Sequence, residues 1–440
     1  MDIIAKVGKA LQYVFGEAAE RAGAESGVIQ RQRVFTAQSL GQTFVLGHLQ
    51  NPEASDEELA QMAAQCGAPV SPQAIAQRCT PTFAKYLETL FREVAQVVVG
   101  SRRVLAPLLE RFSSVTVLDS STITLPDEMQ EQFPGCGGGE KVSRAALKLQ
   151  TEFDLRDGAL SYVGIEAGRS PDRATVRQQA RRGPGSLRIA DLGYFDVGVF
   201  AAMAAAKEYF LSRLQYGTMV LLPAGAPADL LPWLEEQPGP FIDQPIILSK
   251  AHRFTCRLIA WRLPPAQASE RRRKLRQDAA RRLRDEPSEE RLAWCDWTIL
   301  VTNVPEEMLT PAESAVLYRA RWQIELLFKR WKSQDLIAAL SGATVARQMV
   351  RIWSRLIGAL LQHWLLVACV WGDPSKSWSK ACEAVRPFVS RLAAGIVHAT
   401  DLRTVLTDLR CVVETTCRRN KRAKPGTLEL LNDVSLLNFG

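Results

Sequence analysis

The stretch Ser114–Leu125, SVTVLDSSTITL, constrains this chain more than any other. Val, Ile, Leu and Thr alternate there with period two, the period of a strand. Upstream, residues 1–111 carry helical spacing throughout. Downstream, ALKLQTEFDLRDGALSYVGIEAG holds two further strands around Asp157-Gly158, a dipeptide that favours a tight hairpin. Arg169–Arg182 reads as a basic helix or loop. The short apolar run Leu187–Ala190 ends at Asp191-Leu192-Gly193-Tyr194-Phe195, an alanine-rich helix follows over Asp196–Lys207, and Tyr209–Leu214 is another strand. Strand, hairpin, helix, strand, helix, strand predicts an α/β layer with a mixed sheet.

Residues 217–305 interrupt that order. Turns rich in Pro and Gly (PAGAPADLLP, EQPGP) alternate with short strands (PIILS, FTCRLIAWRL), and WTILVTNV closes the segment. Between them runs RRRKLRQDAARRLRDEPSEER, which is either a solvated basic helix or loop, or an arm that meets a polyanion. The predicted organisation is a helical region over 1–111, core strands over 112–216, a strand-rich insertion over 217–305, a return to the core over 306–342 and a helical region over 343–440. Within the first region, Ser55 can cap a helix with Glu58 as its box partner. Gly67 stops that helix, and Ser71 with Pro72 starts the next. Helix, glycine turn, helix over 55–78 is the outline of a helix-turn-helix DNA reader and equally of a plain helical hairpin.

Bulk properties narrow the function class. The formal charge is +8, which favours a polyanionic partner without requiring one. Nine cysteines are scattered with no C-x-x-C pair, as expected for reduced thiols in a cytoplasmic protein, and four distant histidines argue against a histidine metal site. The N-terminus lacks a secretory pattern. The apolar run Leu356–Trp371 contains Gln362 and His363 and is short for a bilayer span, so a buried helix and no membrane are expected.

Chemistry gathers in YRARWQIELLFKRWK, Tyr318–Lys332. On a helix, Tyr318, Arg321, Glu325 and Lys332 share one face while Leu326, Leu327 and Trp331 turn to a core. An Arg–Glu pair on an amphipathic helix accounts for part of this. A second account joins Glu325 to Asp119, near a strand end, and to Asp191, at another. Ligands in open α/β sheets collect outside the carboxyl ends of strands. Three carboxylates there suit two hard divalent cations, Mg²⁺ or Mn²⁺, and phosphodiester chemistry. Arg321 offers a fork to phosphate and Lys332 a point charge.

These motifs together resemble the DDE transposases with a ribonuclease-H-like core, and more narrowly the bacterial cut-and-paste transposases of the insertion-sequence-four family. Tyr318, Arg321, Glu325 and Lys332 match that family's Y-x2-R-x3-E-x6-K signature. Asp119 in LDSSTITLP and Asp191 in DLGYF match its aspartate contexts, and the insertion interrupts the core at the same place. The match spans roughly Ser114–Ser341. Leu192 departs from the polar residue often found before the glycine. The resemblance implies a ribonuclease-H-like fold, with Asp119, Asp191 and Glu325 as ligands of two metal ions. Tyr318, Arg321 and Lys332 become DNA-phosphate contacts. It also implies cleavage of inverted-repeat ends through a hairpin, with a flipped base for which Trp261, Trp294 and Trp297 are candidate platforms. The 3′-ends then join target DNA, a homodimer holds two double-stranded ends in a synaptic complex, and the setting is the bacterial nucleoid. A DNA-binding regulator without catalysis, or a structure-specific nuclease on the same core, are the competing outcomes.

Overall fold

The computed structural model describes all residues except 1, 32, 105, 138–142, 223–228, 250, 283–284, 335–343, 399–401, 421–423 and 438–440. The end of the glycine-rich loop, the PAGAPA turn, part of the basic run, the start of the apolar C-terminal stretch and part of the basic tail therefore lie outside the described residues. In chain order the elements used below are α1 (Ile3–Tyr13), α2 (Ala19–Ser26), α3 (Ala37–Gln50), α4 (Asp56–Gln65), α5 (Pro72–Arg78), α6 (Pro81–Val94), β1 (Val115–Leu125), β2 (Ala145–Asp154), β3 (Leu160–Ala167), β4 (Leu187–Ala190), α7 (Val197–Ala205), β5 (Tyr209–Arg213), β6 (Val220–Leu221), β7 (Ile242–Leu248), β8 (Phe254–Arg262), α8 (Pro265–Arg281), β9 (Trp297–Thr302), α9 (Pro311–Ala320), α10 (Trp322–Ser333) and α11 (Val345–Val370). They form a mixed α/β structure on a nine-stranded sheet. The chain divides into two compact units. The first is Met1–Val104, Ser120–Ser170 and Ile324–Arg422; the second is Leu105–Asp119, Pro171–Gln323 and Ala423–Gly440.

The first unit is built on α11. Its apolar residues run all round the helix, and such a helix must be enclosed. Trp353, Leu356, Ile357, Leu361 and Trp364 are buried against a helical shell that includes α3 and α6. By length and composition α11 could cross a bilayer, but 94% of its most apolar window is buried inside the protein. The expected local signals are present. Ser55 and Glu58 form a capping box at α4, Gly67 turns the chain at φ +76°, and Ser71 caps α5 with Pro72 at its first position. β2 and β3 pair antiparallel as predicted, with Gly158 at φ +74° in the turn. Arg347 and Arg355 do not form a free basic stripe. Arg347 pairs with Asp56, and Arg355, only 1% exposed, donates to the Pro52 carbonyl and pairs with Glu53. All nine cysteines are free thiols.

Two buried histidines make this unit acid-sensitive. Burial, then the charges of Arg355 and Arg351, push His48 down to about 3. Burial, followed by Arg330 and partly offset by the bond to the Gly158 carbonyl, brings His363 to about 4. Unfolding returns each to its ordinary value near 6.5, so the unfolded chain binds more protons below that pH. Stability present above pH 6.5 is lost as pH falls towards 4 and 3. The denaturant midpoint should drop steadily from pH 6.5 to 4, and a His48→Gln variant should show a shallower drop; identical profiles for the two proteins would contradict this.

The second unit carries the rest of the sheet, in the order β1-β4-β5-β9-β8-β7-β6. β1, β4 and β5 are parallel, and a long connection rather than a tight turn joins each to the next. β9, β8, β7 and β6 then add antiparallel. The inserted strands thus prolong the core sheet beyond β5. One core runs beneath them, from Phe200 stacked on Phe210 at 4.1 Å through Ile246 and Leu258 to Ile299. Asp196 caps α7, and Thr310 with Glu313 boxes α9.

Three expectations need correction here. Asp119 is the fifth residue of the eleven in β1, not near its end. Only the parallel pairing to β4 stops beside it, at Leu118–Ala190. The single helix expected over Tyr318–Lys332 is divided at Arg321 between α9 and α10. The Arg321 amide bonds the Tyr318 carbonyl three residues back, which tightens the last turn of α9, and α10 begins at Trp322. Finally, Leu326 is only half-buried, and α10 packs instead through Ile324, Leu327, Phe328 and Trp331.

Candidate active site

β1 and β4 set the geometry. Val115 to Leu118 pair with Leu187 to Ala190, and Leu118 and Ala190 pack with Tyr194 in a small buried cluster. The next residue on each strand is an aspartate. Asp119 and Asp191 thus leave neighbouring parallel strands at the same level, one step beyond the last paired position. Asp191 precedes a single 3₁₀ turn, Leu192–Tyr194, and its side chain makes no capping bond there. A Cβ at Gly193 would sit 3.0 Å from the Asp172 carboxylate, which would have to shift by a few tenths of an ångström to admit it.

Arg321 comes to the same place from the junction of α9 and α10. Its Nη1 lies 3.7 Å from Asp119 Oδ2, and both side chains are mostly buried. Its guanidinium also stands 5.7 Å from the centre of the Tyr318 ring. Among the described residues the Tyr318 hydroxyl is buried with no hydrogen-bond partner. Burial first, and the Asp191 charge second, push its pKa up to about 12, so it is a neutral donor at any physiological pH. Four of the six residues singled out from sequence, Asp119, Asp191, Tyr318 and Arg321, are therefore gathered in the second unit. Glu325 and Lys332 are carried by the part of α10 that belongs to the first unit, Glu325 half-buried and Lys332 exposed. Among the described residues no group of three or more His, Cys, Asp or Glu side chains forms a metal cage. The donor chemistry of the aspartate pair does fit a hard divalent cation: two carboxylates one step beyond the last paired positions of neighbouring parallel strands, with one arginine beside one of them.

Sequence reasoning missed two cations. Arg213, at the end of β5, and Arg271, on α8, line a cavity of about 340 Å³ together with Tyr318, Arg319, Gln267 and Trp261. Arg213 carries no motif, and Arg271 is hidden among identical neighbours in the basic run. Of the other two candidate tryptophans, Trp297 is buried under Arg262, and Trp294 meets Tyr216 edge-on at 5.4 Å.

A mixed sheet whose neighbouring parallel strands each deliver an aspartate, flanked by helices, is consistent with the ribonuclease-H-like core of a transposase. Residues 110–361 match the family described as transposase DDE domain, and the chain belongs to that family. It is 26% identical, over 73% of its length and 71% of the relative's, to the transposase for insertion sequence element IS231F of Bacillus thuringiensis subsp. israelensis. It is 25% identical to the transposase for IS1151 of Clostridium perfringens, over 69% of this chain and 68% of the relative. A shorter segment, 24% of the chain and 29% of the relative, is 35% identical to the putative transposase InsL for IS186A of Escherichia coli strain K12.

Proposed function

We propose that this chain is a cut-and-paste DNA transposase of the insertion-sequence-four group. It binds the inverted-repeat ends of its element, cleaves them through a hairpin and joins the 3′-ends to target DNA. The observation that carries this reading is the aspartate pair just beyond the last paired positions of β1 and β4, beside Arg321 and Tyr318, in a DDE-family chain. Asp119, Asp191 and Glu325 would hold two divalent ions, Mg²⁺ or Mn²⁺. When bound, these ions supply Lewis-acid stabilisation of charge at the phosphodiester. Arg321 and Lys332 grip phosphates of the cleaved end, and Tyr318, held neutral, donates a hydrogen bond to a phosphate oxygen. The helical pair α4–α5 reads double-stranded DNA. Two chains act as a homodimer on two ends, in the bacterial cytoplasm at the nucleoid.

The test uses the full chain with a duplex ending in the inverted repeat that flanks its coding sequence, in Mg²⁺. Expected are nicks at the repeat boundary, a hairpin product on a denaturing gel, and joining of a pre-cleaved end to plasmid DNA. Binding without nicks in either Mg²⁺ or Mn²⁺ would identify a regulator instead, and nicks without joining a nuclease.

A further inference from the structure

The break between α9 and α10 needs a cause outside the two helices. Arg321 keeps helical dihedrals, φ −51° and ψ −32°, and Ala320 to Glu325 include neither proline nor glycine. Sharp breaks in helices otherwise fall at those residues or where a side chain enters the ladder. Local preference here favours one continuous helix, so contacts from elsewhere must hold the break. Trp322, the first residue of α10, offers little grip, being 52% exposed. The contacts come from far along the sequence. The chain leaves the second unit after Gln323, and residues 427–437 belong to that unit again. A helix over Thr427–Asn432 packs against α9 and against the short helix Pro107–Glu110, with Leu430 and Leu431 buried. The 3₁₀ turn Val434–Leu436 packs on α9 as well, and Leu437 lines the same cavity as Tyr318 and Arg319. On α10, Gln323 Nε2 donates to Thr427 Oγ1 at 2.6 Å, across 104 positions of sequence. The segment thus holds α9 by apolar packing and the first turn of α10 by a hydrogen bond, and Arg321 lies between the two points of hold.

We propose that Thr427 is a positioning residue for Arg321: the segment Thr427–Leu437 clamps α9 and α10 in the break that sets the Arg321 guanidinium beside Asp119. The proposal rests on the transposase reading. It gives a share in the rate of strand cleavage to a segment beyond residues 110–361, the part of the chain that matches the transposase DDE domain. Thr427 acts through the start of α10 and not on the reacting atoms. A side chain that must meet a reacting group in one geometry loses rate steeply when its support loosens, while affinity spread over many contacts hardly changes.

The experiment measures single-turnover cleavage of an inverted-repeat duplex by the full chain in Mg²⁺, with end binding and the denaturant midpoint taken on the same preparations. Thr427→Val keeps the shape and removes the acceptor, Thr427→Ser keeps the acceptor, and Gln323→Met removes the donor. Thr427→Val and Gln323→Met are each expected to slow cleavage about three- to tenfold, the scale of one hydrogen bond. End binding should stay within about twofold of wild type in both, and Thr427→Ser should cleave within about twofold of wild type. The double variant should be no slower than either single, because both remove the same bond. Where Thr427→Val lowers the denaturant midpoint, Gln323→Met decides the matter. Cleavage by both Thr427→Val and Gln323→Met within about twofold of wild type overturns the clamp and leaves the transposase reading standing. A loss of binding equal to the loss of cleavage, or a Thr427→Ser as slow as Thr427→Val, overturns it too. A wild-type chain that cleaves the duplex in neither Mg²⁺ nor Mn²⁺ overturns the transposase reading, and this proposal with it.

Discussion

Asp191→Asn abolishes end cleavage and leaves end binding intact. The amide keeps the size of the carboxylate and loses its charge, which removes a hard oxygen ligand without opening a hole. Asp191 makes no capping bond at the turn that follows it, so the fold does not depend on that charge. Stability should stay within about 0.5 kcal/mol of wild type. The cleavage rate should fall on the order of 10³-fold or more, equivalent to about 4 kcal/mol of transition-state stabilisation. Asp119→Asn and Glu325→Gln should behave alike in cleavage. Asp119→Asn differs in one respect, because it also removes the partner of Arg321 at 3.7 Å. Single-turnover cleavage and gel-shift titration of the same preparations separate the two quantities. Retention of cleavage by any one of the three variants would remove that residue from the site.

Gly158→Val destabilises the first unit more than any other single change considered. Gly158 sits at φ +74°, where a β-branched residue is strained. A Cβ there would also lie 2.6 Å from Cδ2 of Trp371, a ring packed edge-on against Phe153 and Trp378. The Gly158 carbonyl meanwhile accepts from His363 Nε2 at 2.8 Å, so the turn cannot swing away without uncovering a buried imidazole. Backbone strain, overpacking and a weakened buried bond together amount to roughly 3–5 kcal/mol. Gly158→Ala should fall between wild type and Val. The measurement is the denaturant midpoint at constant m-value; a Val variant within 1 kcal/mol of wild type, by the usual mutational scale, would mean that the turn is not built as described.

Local features of this fold were legible in the sequence wherever short-range physics decides them. Period-two alternation marked β1, Asp157-Gly158 marked the hairpin, and Ser55–Glu58 and Ser71–Pro72 marked two helix starts. The paired aspartates were legible because each ends or follows an apolar run. Features set by distant partners were not. The break at Arg321 leaves no glycine or proline in the sequence. The position of Asp119 relative to β4 depends on a register made with residues some seventy positions away. Nothing near Arg355 in sequence announces its bond to the Pro52 carbonyl. Arg213 and Arg271 belong to one cavity only once β5 and α8 are folded.

The pairing of β9 with β5 bears on how such a protein can be re-engineered. A segment hung on a core by two loops can be clipped out or exchanged. This one cannot, because its last strand satisfies the backbone of β5 at Leu211, Ser212 and Arg213. A shortened chain would present β5 as an open edge, and open edges recruit other chains. Side chains of the segment can therefore be exchanged more freely than its closing strand, whose backbone seals that edge.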